Sequence, residues 1–237
     1  MNLSDTNSER AISTPAHRRR PKRLPHDAVT IQLVTKGSRD RHTLEARIAA
    51  RFARKYGARI EAFLPYLVNL GIDGRHGAVV GLRPASEAPL FLEQYFEAPI
   101  EQAISLAFHT PVSRDQVVEV GNLAAAAPGA VALLFGILAA ILHEAGMRWV
   151  VCTATPRVRS ILDDLQLPSR TLRAADPAVL GTKQAEWGSY YAHRPQVIAG
   201  DAGIAAARMA TDPLLAELLD RLRASAARIV TALRAAG

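Results

Sequence analysis

Residues Gln116–Thr155 read QVVEVGNLAAAAPGAVALLFGILAAILHEAGMRWVVCTAT. Val117, Val118 and Val120 form a short β-branched run around Glu119, and Gly121-Asn122 interrupts it. Four alanines, Pro128-Gly129 and a long apolar run follow, closing at His143-Glu144-Ala145-Gly146. A second β-branched run, Trp149-Val150-Val151-Cys152-Thr153, comes directly after. Proline suits the first turn of a helix and glycine the residue beyond its end. The stretch therefore predicts strand, turn, apolar helix, strand. That is a βαβ unit with a right-handed crossover and parallel strands. Ligands bind such units at the carboxyl ends of the strands, where a helix N-terminus offers free N–H groups. The apolar run from Ala130 to Leu142 is shorter than the ~20 residues that a membrane span needs, so it reads as a core helix.

Outward from this unit, Ala28 to Val34 alternates and is rich in Val and Ile, which predicts a strand. Arg39 to Tyr56 places Leu44, Ile48, Phe52 and Tyr56 at helical spacing and closes on Gly57. Tyr66 to Gly71 and Ala78 to Arg83 are strand-like, joined by the turn signal Asp73-Gly74-Arg75-His76-Gly77. Phe91 to Ala107 reads as a connection followed by a helix carrying Ile100, Ile104 and Leu106. Arg157 to Leu165 is amphipathic through Val158, Ile161, Leu162 and Leu165. Pro168 to Leu172 predicts a strand, and Gln184 to Gly200 predicts two strand-like runs around Pro195. Asp212 caps a last helix reaching about Ala235. The expected fold is α/β (α+β): a mixed central sheet flanked by helices, spanning 28–200, with a C-terminal helical segment at 201–237.

The chain has 237 residues, 49% of them hydrophobic but only 5% aromatic, so its core is built from Leu, Ile, Val and Ala. Met1 to Arg41 holds nine Lys/Arg against four Asp/Glu, and the remainder is close to neutral. Residues 1–27 are polar and predict a disordered basic tail. Its cluster His17-Arg18-Arg19-Arg20-Pro21-Lys22-Arg23 suits an acidic surface, yet no aromatic residues interleave it, so nucleic acid is not expected. The single Cys152 excludes an intramolecular disulfide and fits a reducing, cytoplasmic setting; it reads as a small buried strand residue. No secretory h-region is visible. The seven histidines are scattered without ligand spacing, so no metal is expected.

Several separate blocks resemble one family in their order along the chain. They are Pro65-Tyr66-Leu67, Gly81-Leu82-Arg83-Pro84-Ala85, Leu90-Phe91-Leu92-Glu93-Gln94-Tyr95, Ala98-Pro99-Ile100-Glu101, Glu119-Val120-Gly121-Asn122-Leu123-Ala124 and Trp187-Gly188-Ser189-Tyr190-Tyr191. Together they look like the thermostable hemolysin family, across roughly 28–200. The element order also resembles the acyl-CoA N-acyltransferase fold of the acetyltransferases and acyl-homoserine-lactone synthases. The family name implies hemolysis, and the fold implies acyl transfer from acyl-CoA or an acyl carrier protein to a small acceptor, with no permanently bound cofactor.

Those two implications need different residues. Lysis needs an exposed apolar surface. The basic tail and the C-terminal helix, with Leu214, Leu215, Leu218, Leu219, Leu222, Ile229 and Leu233 among arginines, are the candidates for membrane contact. Packing on its own domain is the other reading of that helix. Acyl transfer needs phosphate donors, a gap between strands and a proton acceptor. In the acetyltransferases, backbone N–H groups of a Gln/Arg-x-x-Gly-x-Gly/Ala loop hold the phosphates. The equivalent backbone here is at Leu123, Ala124, Ala126, Gly129 and Ala130, and only Gly129 and Ala130 keep that pattern. Gly121-Asn122 either bulges, parting the two strands, or simply ends the first one.

Glu119 is the candidate base. A carboxylate in a Val-rich strand is costly to bury unpaired, and burial raises its pKa toward that of a proton acceptor. It is otherwise a solvent-face residue or the partner of an arginine such as Arg83. Asn122 is the candidate orienting amide, and Tyr190 the candidate acid in place of the tyrosine that many acetyltransferases carry beyond the second strand. Arg83, Glu93, Tyr95, Trp187 and Tyr191 are candidates for the acceptor side. Helix capping by Glu93 and core packing by the aromatics are the structural alternatives.

Overall fold

The computed structural model describes residues 29–126 and 128–236; the expected basic tail lies outside the described residues. Among the described residues, seven strands form one mixed sheet in the order β1-β2-β3-β4-β5-β7-β6. They are β1 (Val29–Val34), β2 (Tyr66–Ile72), β3 (Arg75–Pro84), β4 (Val117–Ala125), β5 (Trp149–Ala154), β6 (Ser169–Ala174) and β7 (Gln196–Asp201). Only β4 and β5 pair in parallel; every other neighbouring pair is antiparallel. Their connection is α3 (Pro128–Glu144), the crossover that the opening stretch predicts. Gly146, at φ 83°, ends the turn after α3 in the left-handed conformation that glycine tolerates.

One face of the sheet carries α3 and α6 (Pro213–Arg234), with α4 (Pro156–Asp164) and α5 (Ala202–Met209) beside them. A helix that is apolar all round must be covered on most of its sides, and α3 is. Leu134, Ile137, Ile141 and Leu142 are each at most 2% exposed. Burial of each such side chain contributes roughly 1.5–3 kcal/mol. The C-terminal helix α6 begins on Asp212, whose carboxylate accepts from the Leu214 and Leu215 amides. Its stripe Leu215, Leu218, Leu222, Ala226, Ile229, Val230 and Leu233 is buried against β1 and α3. The apolar face that membrane contact would require is therefore part of the core.

The opposite face carries α1 (Arg41–Tyr56) and α2 (Ile100–Phe108). Leu44 and Ile48 of α1 pack on Val34, Leu67, Val79 and Ala124, while Ile100 and Ile104 of α2 pack on Val117, Trp149 and Val151. The helix α1 stops where Gly57 adopts φ 66° and its N–H bonds the Ala53 carbonyl.

Two expectations are corrected and one open reading is resolved. The turn is only Asp73-Gly74, both at positive φ, so β3 begins at Arg75 instead of Ala78. Of the two readings of Gly121-Asn122, the structure shows the bulge: β4 continues through it to Ala125. The segment before Pro195 is not a strand. It is a set of tight 3-10 turns at Pro177–Trp187 and Tyr191–His193, with Gly181, Gly188 and Arg194 at positive φ. Its aromatics pack with one another and with Tyr56 instead of forming a ladder. Helix α5, capped by the Asp201 carboxylate, stands within the expected C-terminal helical segment as a separate helix ahead of the one that Asp212 caps.

Candidate active site

β4 and β5 stay together for only three residue pairs: Val117 with Trp149, Val118 with Val150, and Glu119 with Val151. Beyond that point β4 follows β3 and β5 follows β7. A bulge causes the parting. Between the pairs Gly81–Gly121 and Val79–Ala124, β3 advances two residues and β4 three. The extra residue bends β4 and sharpens its twist. Asn122 sits in the bulge at φ 51°, a left-handed conformation that asparagine tolerates better than most residues. Its Oδ1 accepts from the Leu64 amide at 2.8 Å, and its Nδ2 donates to the Ala62 carbonyl at 3.3 Å. A Cβ on Gly81 would stand 2.9 Å from both that Oδ1 and Leu64 Cβ, so a glycine is needed opposite the bulge. The facing edges of Val120 onward and Cys152 onward are thus without a strand partner in each other.

Glu119 lies at the root of this gap and is 4% exposed. Its Oε2 accepts from the Phe91 amide at 2.9 Å and its Oε1 from the Leu92 amide at 3.1 Å. Arg83 is its cross-strand neighbour on β3. Burial pushes the carboxyl above its ordinary range, against the opposing pull of the two amides and Arg83. The residues Phe91–Tyr95 form a 3-10 turn, and Glu119 anchors its first amides to the sheet. Each carboxylate oxygen keeps a second lone pair for another donor.

An aromatic wall stands beside Glu119. Tyr95 and Tyr191 share a hydroxyl–hydroxyl hydrogen bond of 2.5 Å, and the Tyr190 hydroxyl donates to the Thr153 carbonyl at 3.0 Å. Trp187 packs against Phe91, Tyr190 and Tyr191 with ring centroids 5.3–5.8 Å apart. Burial raises the pKa of all three tyrosines. They therefore keep their protons at neutral pH, and each hydroxyl can both donate and accept a hydrogen bond. Thr153 Oγ1 is buried at the same parting and makes no hydrogen bond.

The wall is held in place by backbone contacts to α1. Ser189 donates its N–H to the Tyr56 carbonyl at 2.8 Å, and Arg59 donates to the Glu186 carbonyl at 2.6 Å. Gly188 adopts φ 51°, ψ −127°, and a Cβ there would fall 2.1 Å from the Tyr56 carbonyl oxygen. Only glycine fits that approach.

Glu93 is engaged by its own loop, the start of α2 and Arg114. It accepts from the Leu90 amide at 2.7 Å and the Ile100 amide at 3.1 Å, and Arg114 grips it with two N–H groups at 2.6 and 2.9 Å. Arg114 also reaches the Ala85 carbonyl and Glu101. Burial alone would push the Glu93 carboxyl up, but the Arg114 fork and the two amides hold it below the usual range. This is the capping alternative for Glu93. Arg83 donates to the Pro89 carbonyl at 3.2 Å, which ties down the same loop.

The residues foreseen at the phosphate mouth divide. Ala124 is a ladder residue buried under α1, Leu123 packs toward the core, and the Ala126 amide is taken by the Gly77 carbonyl. Gly129 is exposed with open space around its Cα, and Ala130 follows it in the first turn of α3. The amides of that turn have no partner within the helix. Ala127 lies outside the described residues.

A pocket of about 100 Å³ opens on the α3 face of the gap. Val120 and Cys152, the first residues beyond the last strand pair, line it together with Phe135 and Leu138 of α3 and Val158 and Leu162 of α4. Burial, followed by the nearby Glu119, pushes the Cys152 thiol up to about 12, so it is an inert lining residue. Sequence reading saw Val158 and Leu162 as one apolar face but had no means to see what that face borders. Among the described residues, no three His, Cys, Asp or Glu side chains converge as metal ligands.

The family model described as thermostable hemolysin matches residues 34–205. No curated protein matches the sequence. Among solved structures, the acyl-homoserine lactone synthase LasI superposes with a TM-score of 0.51 at 10% identity, covering 73% of this chain and 90% of that one. TofI, in a ternary complex with an inhibitor and MTA, gives 0.51 at 13% identity, covering 78% and 99%. The CoA-dependent acyl-homoserine lactone synthase BjaI, with SAM and isopentyl-CoA, gives 0.50 at 12% identity, covering 82% and 89%. At these identities the likeness is one of fold.

Proposed function

This chain belongs to the thermostable hemolysin family and has an N-acyltransferase-like fold, and from that premise we propose that it is an acyltransferase. It moves an acyl group from a pantetheine thioester, on coenzyme A or a carrier protein, to an amine or similar small nucleophile. The observation that carries this reading is the parting of β4 and β5 beside a buried carboxylate whose pKa burial raises. A pantetheine arm fits the gap as a short strand would, bonding the free backbone edges. Its phosphates face the first turn of α3, where the helix dipole and the Gly129–Ala130 amides favour negative charge.

In the reaction, the acceptor nitrogen attacks the thioester carbonyl from the aromatic side. The C–N bond forms, the C–S bond breaks, and the sulfur leaves with the carrier. Glu119 takes the proton that the nitrogen sheds; a tyrosine of the Tyr95–Tyr191 pair or Tyr190 passes a proton to the departing sulfur, which leaves as the carrier's thiol, and is reprotonated from Glu119, so both groups end as they began. Trp187 and Tyr191 line the acceptor side. Asn122 acts by position: it holds the bulge that keeps the gap open. Arg83 and Glu93 act on the loop that Glu119 anchors.

The lytic reading that the family name suggests has less support. No helix among the described residues is long and apolar enough to cross a membrane, and the apolar stripe of α6 is buried. The test is incubation of the full chain with acyl-CoA and acyl-carrier donors and a panel of amines, with thiol release as the readout. Turnover that falls in Glu119→Gln is expected. Absence of both turnover and donor binding, for every donor, overturns the proposal.

A further inference from the structure

We infer that the Thr153 hydroxyl orients the attacking nitrogen: it accepts one N–H of a primary amine while Glu119 accepts the other. The inference rests on the acyltransferase reading above and adds to it a substrate-contacting residue and a narrower acceptor class. Val117 and Val151 pack with Tyr95 on the face that carries α2. Side chains alternate along a strand, so Glu119 and Thr153, two positions further on, face the same side. Val120 and Cys152 turn to the opposite face. Glu119 pairs with Val151, which sets Thr153 one level beyond it, where β4 and β5 have parted. Successive levels on one face are about 6–7 Å apart. One nitrogen with bonds of about 2.9 Å to each side, together with the length of the glutamate side chain, bridges that span.

The backbone at Thr153 is fixed by its pairing with Val197 and by the Tyr190 hydroxyl on its carbonyl. Its Oγ1 is sealed from solvent and bonds no described residue. A buried hydroxyl without a partner works against the fold, and a valine would fill the same space without that cost. Because the hydroxyl has no bond to lose, turning χ1 to another staggered well to meet an amine breaks nothing. The other orphans among the described residues stand elsewhere. Trp149 Nε1 lies where β4 and β5 are still paired, and Thr155 Oγ1 lies past the end of β5, at the cap of α4.

A primary amine has two N–H bonds and one lone pair. With one N–H on Glu119 and one on Thr153, the lone pair is left for the thioester carbonyl. Thr153 keeps its own proton throughout. An N-methyl amine has a single N–H and leaves one of the two acceptors buried and unpaired.

The experiment compares wild type, Thr153→Val and Thr153→Ser as full chains, with the acyl-CoA and acyl-carrier donors above. The acceptors are matched pairs: glycine with sarcosine, and phenethylamine with N-methylphenethylamine. Thr153→Val should unfold in urea at the wild-type midpoint or above it. Its kcat for the primary amine should fall about 10–100-fold with the donor KM unchanged. Its preference for primary over N-methyl amine should shrink about tenfold, and Thr153→Ser should restore both. Equal slowing of both amines, an unchanged preference, or a loss of stability in Thr153→Val overturns the assignment and leaves the acyltransferase reading standing. Donor binding without transfer to either primary amine overturns the assignment too. Absence of both turnover and donor binding in wild type overturns the acyltransferase reading itself.

Discussion

Replacing Glu119 by glutamine perturbs the fold and the chemistry in ways that pH separates. Glu119 offers one oxygen to each of the Phe91 and Leu92 amides. Glutamine keeps one acceptor and sets an NH₂ against the other amide, two donors face to face in a buried place. The loss of an acceptor for one buried N–H costs about 1–3 kcal/mol. An opposite effect grows with pH. The folded-state pKa of Glu119 is raised from the ordinary 4.5 by burial. Above 4.5 the unfolded chain sheds this proton while the native state keeps it, so the native state binds more protons and its stability falls as pH rises. The decline continues until pH passes the raised folded value, with a slope of at most about 1.4 kcal/mol per pH unit. Glutamine does not titrate. The stability gap between wild type and Glu119→Gln is therefore widest below pH 4.5 and narrows upward from there. Urea unfolding at several pH values between 4 and 8 measures it, and the Glu93 contribution, present in both proteins, drops out of the difference. A gap that stays constant or widens with pH refutes the buried-carboxylate reasoning. In parallel, loss of the base should slow acyl transfer by roughly 10²–10⁴-fold. An unchanged rate, with the stability gap as described, would leave Glu119 as an anchor for the 91–95 turn and nothing more.

Gly188→Ala places a methyl 2.1 Å from the Tyr56 carbonyl oxygen. It should cost about 2–4 kcal/mol and lower the melting temperature by roughly 5–15 °C, read by calorimetry; a shift under about 2 °C contradicts the tight approach. Asn122→Ala removes the acceptor of the Leu64 amide and leaves a Cβ at φ 51° without its local bond, for about 1–3 kcal/mol in urea unfolding. Asn122→Gly should fall between wild type and Ala, since glycine relieves the backbone but not the lost acceptor; equal costs would show that φ does not matter there. The folded full chain should release no dye from anionic vesicles, because the α6 stripe is buried. Release without unfolding would revive the lytic reading.

Legibility followed the range of the interactions. The β4–α3–β5 unit was readable because its cues are local: β-branched runs, Pro128-Gly129, and Gly146 after an apolar run. Glu119 was readable as an odd residue in a strand, and Asn122 as a break. What each does was not readable. The Glu119 partners come from a turn 28 residues earlier, and the Asn122 partners from a loop about 60 residues earlier. Glu93 reads as a residue before a helix, for the acceptor side or for capping, and only the position of Arg114 shows it as the centre of a clamp. The run before Pro195 was misread because aromatic, β-prone residues score as a strand wherever they stand. Here their partners are the end of α1 and one another, and three residues at positive φ forbid an extended chain.

Side-chain periodicity and turn chemistry act within a few residues, so the chain by itself determined its element types, the parallel pair and the apolar helix between. It also determined that α6 carries an apolar stripe, without deciding between packing and membrane contact. Which surface would cover that stripe, where β4 would leave β5, and that a short apolar pocket would open at the parting were decided by tertiary packing. These depend on segments distant in sequence meeting at fixed register, and on one extra residue in a ladder whose partner strand lies some 40 residues away. A bulge has no local signature beyond a residue that tolerates positive φ. The space that it opens is a property of several elements at once.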